Sequence, residues 1–192
     1  MKNTLKLPTT EIDIPEGLDV VTLGAGCFWC VEAVFQMLKG VHKVVSGYSG
    51  GIIENPSYTS ICSGTTGHAE VIQVYYDPGV ISLAALLEIF WATHDPTTLN
   101  RQRADMGPHY RSSIFYHNEK QRDISSDLKL KLSQALPENQ SILTEITAFT
   151  NFYQAENSHQ DYFNLNGGQP YCQFVIIPKI DQLKKFFSER LK

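Results

Sequence analysis

The chain has 192 residues, 42% apolar and 19% charged, which suits one folded domain with a real core and excludes a disordered segment. With 16 basic against 20 acidic residues the net charge is −4, so overall charge does not favour nucleic-acid binding. No apolar run reaches the roughly 18 residues of a membrane span, and four cysteines are too few for a disulfide scaffold, so reduced cysteines used for chemistry in the cytoplasm are expected. Residues 1–18 hold acidic residues and prolines but no apolar stretch. They read as an N-terminal arm, not a signal peptide, ahead of a single domain over 19–192.

The first strand is Asp19–Leu23, ended by Gly24-Ala25-Gly26. Phe28, Val31, Val34, Phe35 and Leu38 follow at helical spacing, with Gly40 as the stop. Residues 41–50 read as a strand entering a glycine-rich turn, and a long loop runs to Gly67. Glu70–Tyr76 alternates as a strand. Ser82 then caps a helix whose inner face is Leu83, Leu86, Leu87, Phe90 and Trp91. A second long loop spans 94–109, followed by a strand over 111–117. Asn118 with Gln121 resembles a capping box, opening a helix with Ile124, Leu128, Leu132 and Leu136 on one stripe. Residues 142–149 and 173–179 read as late strands, and 181–192 as a terminal amphipathic helix. This order predicts an α+β two-layer sandwich with a split β-α-β, ferredoxin-like core and extended loops, both long loops lying at one end of the sheet.

Cys27 stands between the strand-ending glycines and the first helical turn, where free N–H groups and the helix dipole favour an anion. A thiolate is such an anion, so a lowered Cys27 pKa is expected. Phe28 and Trp29 can wall a small apolar group beside it. Cys30 completes a CxxC, which raises a redox or a zinc reading. Zinc is disfavoured, because no histidine pair stands at ligand spacing. A Cys27–Cys30 bond also requires distortion of a regular first turn, where residues three apart hold Cβ atoms about 5–6 Å apart.

Gly26-Cys27-Phe28-Trp29, Pro56-Ser57-Tyr58, the run Cys62 to Glu70 (CSGTTGHAE), Trp91 to Pro96 (WATHDP), Asp105 to Ser112 (DMGPHYRS) and Ala155 to Tyr162 (AENSHQDY) together resemble the A-type peptide methionine sulfoxide reductases. The resemblance runs from about residue 20 to residue 183, in family order. Two departures stand out: Arg103-Ala104 replaces the family's usual Gly-Asn, and His109 its usual Gln.

The resemblance implies reduction of the S epimer of methionine sulfoxide, free and in proteins, as protein repair. Cys27 is then the nucleophile and becomes a sulfenic acid. Glu70 donates a proton, Tyr58 and Tyr110 hold the sulfoxide oxygen, and Phe28, Trp29, Asp105 and His159 border the substrate. Resolving cysteines in the family commonly lie late in the chain on mobile segments. Cys172, after Gly167-Gly168-Gln169-Pro170-Tyr171, is therefore the expected resolver, with Cys30 and Cys62 as the alternatives. Thioredoxin is the implied reductant, with no metal or organic cofactor, and a monomer is expected. The competing reading is a general CxxC thiol–disulfide oxidoreductase.

Overall fold

The computed structural model describes residues 13–192; most of the expected N-terminal arm, residues 1–12, lies outside the described residues. Strand β1 (Asp19–Ala25) runs into helix α1 (Phe28–Gln36), then strand β2 (Val41–Ser49) and a short helix α2 (Tyr58–Cys62) inside the first long loop. Strand β3 (Ala69–Tyr76), helix α3 (Leu83–Ala92), a two-residue-per-arm hairpin β4–β5 (Arg101–Gln102, Asp105–Met106) and strand β6 (Ser112–Tyr116) follow. Helix α4 (Glu119–Gln134), strands β7 (Glu145–Ala148) and β8 (Tyr153–Gln154), and helices α5 (Tyr162–Asn166) and α6 (Ile177–Phe187) complete the chain.

The sheet order is β7-β6-β1-β3-β2-β8. Its central four strands, β6-β1-β3-β2, are antiparallel neighbours, which is the arrangement of a split β-α-β core. Strand β7 adds in parallel beside β6, and β8 antiparallel beside β2. The sheet is thus mixed, with helices packed on one face.

Period-two alternation divides the sheet residues between its faces. Val21, Leu23, Ile72, Val74, Tyr76 and Ile114 pack with α1 and α3, while Val45, Val71, Phe115 and Phe152 form a smaller cluster on the other side. Glu70 shares the parity of Ile72 and Val74. The register that builds the core therefore aims a carboxylate into the helix layer, at the end of β3 nearest the start of α1. The ends of β1 and β2 and the starts of β3 and β6 lie together in this antiparallel arrangement, so both long loops gather at one end of the sheet as expected.

Several local expectations hold with small shifts. Strand β1 is two residues longer than predicted. Ser82 accepts from the Ala85 N–H at 3.2 Å, and all five predicted inner residues of α3 are buried. Asn118 accepts from the Gln121 N–H at 3.0 Å, but the Gln121 side chain accepts from the His117 N–H at 2.9 Å, one residue before the cap. The long first loop hides α2, capped by Ser57 through Ser60 in both directions.

One element is overturned. Residues 173–179 are helical, not a strand: a π-helical turn over Cys172–Ile176 runs directly into α6. Cys172, Ile176, Ile180 and Leu183 are all buried, and their spacing of four, four and three is the stripe of a helix. Burial of that stripe against α1 outweighs the strand preference of Val175, Ile176 and Ile177, since propensity is a weak prior against packing. Cys172 consequently stands in no loop before a last strand. It is 0% exposed and begins the helical segment.

Candidate active site

The site forms where β1 turns into α1. Gly26 has φ of 83°, and a Cβ built there would lie 2.7 Å from the Gln102 side chain, so the turn needs glycine for both conformation and space. Cys27 is the N-cap of α1, with φ −56° and ψ 123°, and is 7% exposed.

Glu70 is 1% exposed, and its Oε2 accepts from the Phe28 N–H at 3.0 Å. Burial pushes its carboxyl up to about 8; the Phe28 hydrogen bond opposes this, and the charges of Asp105 and Cys30 add to it. Glu70 is therefore largely protonated at neutral pH.

The expected lowering of the Cys27 pKa is corrected here. Burial first, then the hydrogen bond with Cys30 and the Glu70 charge, hold the Cys27 thiol well above its ordinary range. Burial is the main cause, and the donors at the helix start do not offset it. The Phe28 N–H at the helix start is taken by Glu70, and the Cys30 N–H by the Cys27 carbonyl at 3.1 Å. These donors are thus occupied before a sulfur anion can use them.

Tyr58 and Tyr110 come from the two long loops as expected, and both are half-buried. Burial, followed by the Glu70 charge, raises both phenols, and the Cys27 charge acts on each as well. Their hydroxyls therefore stay protonated donors. Phe28 is 1% exposed and packs on Tyr48 with ring centroids 5.8 Å apart. Trp29 stacks on Tyr162 at 3.7 Å, and its Nε1–H donates to His159 Nδ1 at 3.2 Å. The His159 ring centroid lies 4.3 Å from that of Tyr58.

Asp105, on the hairpin, accepts from the Tyr171 hydroxyl at 2.9 Å. The same hydroxyl lies 3.7 Å from Cys30 Sγ. Tyr171 thus stands between Asp105 and Cys30, and either the phenol or the thiol can donate in the sulfur contact. Cys30 is itself brought down to about 7, first by the Cys27 hydrogen bond, against burial, with help from the Lys179 charge and Tyr171. Cys62, by contrast, is exposed. Among the described residues no group of three or more His, Cys, Asp or Glu side chains is placed to hold a metal ion.

The peptide methionine sulfoxide reductase family model matches residues 19–191. The chain belongs to this family. A peptide methionine sulfoxide reductase MsrA of Trichodesmium erythraeum is 51% identical over 174 residues, 91% of this chain and 98% of the relative. Among solved structures, reduced Mxr1 of Saccharomyces cerevisiae superposes with a TM-score of 0.77 at 33% identity, covering 88% of this chain and 94% of that one. Mxr1 in complex with Trx2 gives a TM-score of 0.55 at 27% identity, over 79% of this chain and 89% of that one. The protein is an oxidoreductase that reduces methionine sulfoxide, and the oxidoreductase reading based on CxxC alone is not favoured.

Several supporting residues of this reductase carry no role in the sequence reading. Glu156 Oε2 accepts from the Tyr48 hydroxyl at 2.9 Å and its Oε1 from the Tyr58 N–H at 3.1 Å, so one carboxylate ties β2 to the start of α2. Buried Glu32 accepts from the Asp161 and Tyr162 N–H groups at 2.9 and 3.1 Å, holding the ring that Trp29 stacks upon. Gln160 exchanges two hydrogen bonds with the Ser46 backbone. Glu156 and Gln160 lie inside the AENSHQDY segment, which marked the region without disclosing these partners. Tyr171 and Lys179 had no such signal, because the segment holding them was read as loop and strand.

Proposed function

We propose that this reductase acts on the S epimer of methionine sulfoxide, free and in proteins, through Cys27 and Glu70, and that Cys30 makes the first disulfide. The observation that carries the first part is the buried, protonated Glu70 carboxyl bound to the Phe28 N–H beside the Cys27 sulfur. As the Cys27 sulfur attacks the sulfoxide sulfur, Glu70 gives its proton to the sulfoxide oxygen and Tyr58 and Tyr110 donate hydrogen bonds to it. Methionine departs, Cys27 keeps the hydroxyl as a sulfenic acid, and the proton shed by the Cys27 thiol restores Glu70. Trp29 and Phe28 receive the methyl group, while Asp105 and His159 border the substrate's backbone side.

Inverting the sulfur centre exchanges methyl and oxygen, placing an unpartnered oxygen against the aromatic wall. Single-turnover rates on the separated epimers test the site. Strong preference for S is expected, and equal rates contradict this pocket.

Resolution by Cys30 rests on the cap geometry. Cys27 lies outside the regular helix, with ψ of 123°, so the regular-turn spacing that argued against a 27–30 bond does not apply. Cys27 and Cys30 each perturb the other's ionisation, whereas Cys172 is 0% exposed in the helical segment. Mass spectrometry after one turnover without reductant should show a 27–30 linkage; a 27–172 linkage returns the role to Cys172. Thioredoxin is the proposed reductant, a reading supported by the solved complex of Mxr1 with Trx2. The reaction then uses only side chains and an external dithiol. The proposed setting is the cytoplasm and the proposed catalytic unit a monomer with its domain over 19–192; no helix among the described residues is long and apolar enough to cross a membrane.

A further inference from the structure

A cavity of about 210 Å³ lies beside the hairpin. Lys179, His94, Asp95, Gln102 and Asp105 are among its lining residues. Lys179 is 9% exposed, yet its ammonium makes no hydrogen bond or ion pair among the described residues. A buried cation without a partner is costly unless some nearby charge offsets it.

The surrounding groups show where that charge can arise. His94 is half-buried and neutral, its pKa held at about 4 by desolvation, with Nδ1 on the Phe90 carbonyl and Nε2 on Ser112. The Asp95 carboxylate is occupied by the Thr97 N–H and hydroxyl, both on Oδ1. Asp105 is taken by Tyr171, whose oxygen faces Cys30. The cavity wall and the resolving thiol are thus joined through Asp105 and Tyr171.

Resting on the reading that Cys30 resolves the sulfenic acid, we propose that Lys179 is a positioning residue for that step, its ammonium stabilising the Cys30 thiolate that attacks Cys27. The groups facing Cys30 are Cys27 at the cap, Glu70 on β3, Asp105 on the hairpin, Tyr171 and Cys172 before α6, and Lys179 on α6. Of these, Glu70 is neutral when protonated, Asp105 opposes a thiolate, and the Lys179 charge favours it; Arg103 lines the same cavity as Lys179 and Asp105.

The step balances. The Cys30 thiolate forms the S–S bond as the S–O bond of Cys27 breaks; protonated Glu70 gives its proton to the departing hydroxide, which leaves as water. Cys27 sulfur is reduced, Cys30 sulfur is oxidised, and negative charge moves from Cys30 to Glu70.

The test follows decay of the Cys27 sulfenic acid by rapid quench after one turnover, from pH 5.5 to 9, in wild type and in Lys179→Met, Lys179→Gln and Lys179→Arg. Loss of the ammonium should move the midpoint of the rising limb up by about one unit from about 7 and so slow resolution about fivefold at pH 7. Arg should restore the midpoint, while methionine formation in the first turnover stays near the wild-type rate. An unchanged midpoint in a folded Met or Gln variant overturns the proposal. So does an Arg variant that fails as they do, since packing alone would then be responsible. Should Met and Gln both fail to fold, an Arg variant that folds with a shifted midpoint also overturns it, and one with the wild-type midpoint supports it. Disulfide mapping in wild type separates the failures: a 27–172 linkage removes the Cys30 reading, whereas a 27–30 linkage with an unmoved midpoint removes only Lys179.

Discussion

Two regions flank Cys27, and they are built differently. On one side the sulfoxide pocket hangs from strand ends: Glu70 on β3, the turn after β1, and loop tyrosines tied down by Glu156. On the other side the thiol pocket, with Cys30, Tyr171, Cys172 and Lys179, is closed by helical segments from the end of the chain. The first keeps its acid neutral by burying Glu70 in the core layer. The second gathers polar groups that favour a thiolate. On the proposed reading one sulfur faces a proton donor on one side and a nucleophile on the other, which is what an oxidation followed by a resolution requires.

The largest expected effect separates the two regions outright. Cys27→Ser should lose methionine formation altogether, because the hydroxyl is not appreciably ionised at neutral pH. Cys30→Ser should still form one methionine per chain and then stall, with a trappable sulfenic acid at Cys27. Quantifying methionine per chain by chromatography distinguishes them, and multiple turnovers by Cys30→Ser would erase the distinction drawn here.

Glu70→Gln should slow the first turnover by roughly 10²-fold or more, the scale of a positioned acid. The wild-type rate of that step should fall as pH rises through about 8, where Glu70 loses its proton. The same shift acts on stability. A carboxyl raised above its unfolded value contributes stability that is fully present below its ordinary pKa and lost as pH rises through about 8. Thermal melts should therefore show a decline in wild type from about pH 4.5 to about pH 8 that Glu70→Gln flattens.

The aromatic wall should divide into a structural and a binding half. Phe28→Ala opens a hole in the core and should cost about 3–5 kcal/mol in denaturant unfolding. Trp29→Ala, at a half-buried position, should cost less stability and instead raise KM, by about tenfold for a lost contact of about 1.4 kcal/mol. The smallest effect is expected at Cys62. It is exposed and beside neither Cys27 nor Cys30, so Cys62→Ser should leave recycling with thioredoxin within about twofold. Stability should also change by less than about 0.5 kcal/mol.

The sulfoxide pocket was largely legible in the sequence, because it is made of short local patterns. Gly26 before Cys27 signals the strand-to-helix turn. Period-two alternation in 70–76 already places Glu70 on the core side of its strand. Tyr58 and Tyr110 fall in loops too long to be mere connections. The core helices announced themselves by their stripes, and Ser82 and Asn118 by their caps.

What tertiary structure alone decided is the thiol pocket and the protonation of the nucleophile. Residues 173–179 carry strand-forming side chains, and only the surface of α1 waiting for Cys172, Ile176 and Ile180 turns them into a helix. The start of α1 favours a Cys27 anion locally, but burial of the thiol overrides it, and the Glu70 carboxyl, 42 residues later in the chain, takes the Phe28 N–H. Periodicity and capping act over a few residues and can be read in order. Burial, competition for donors and the charge of Lys179 near Cys30 depend on groups that meet only when the chain has folded.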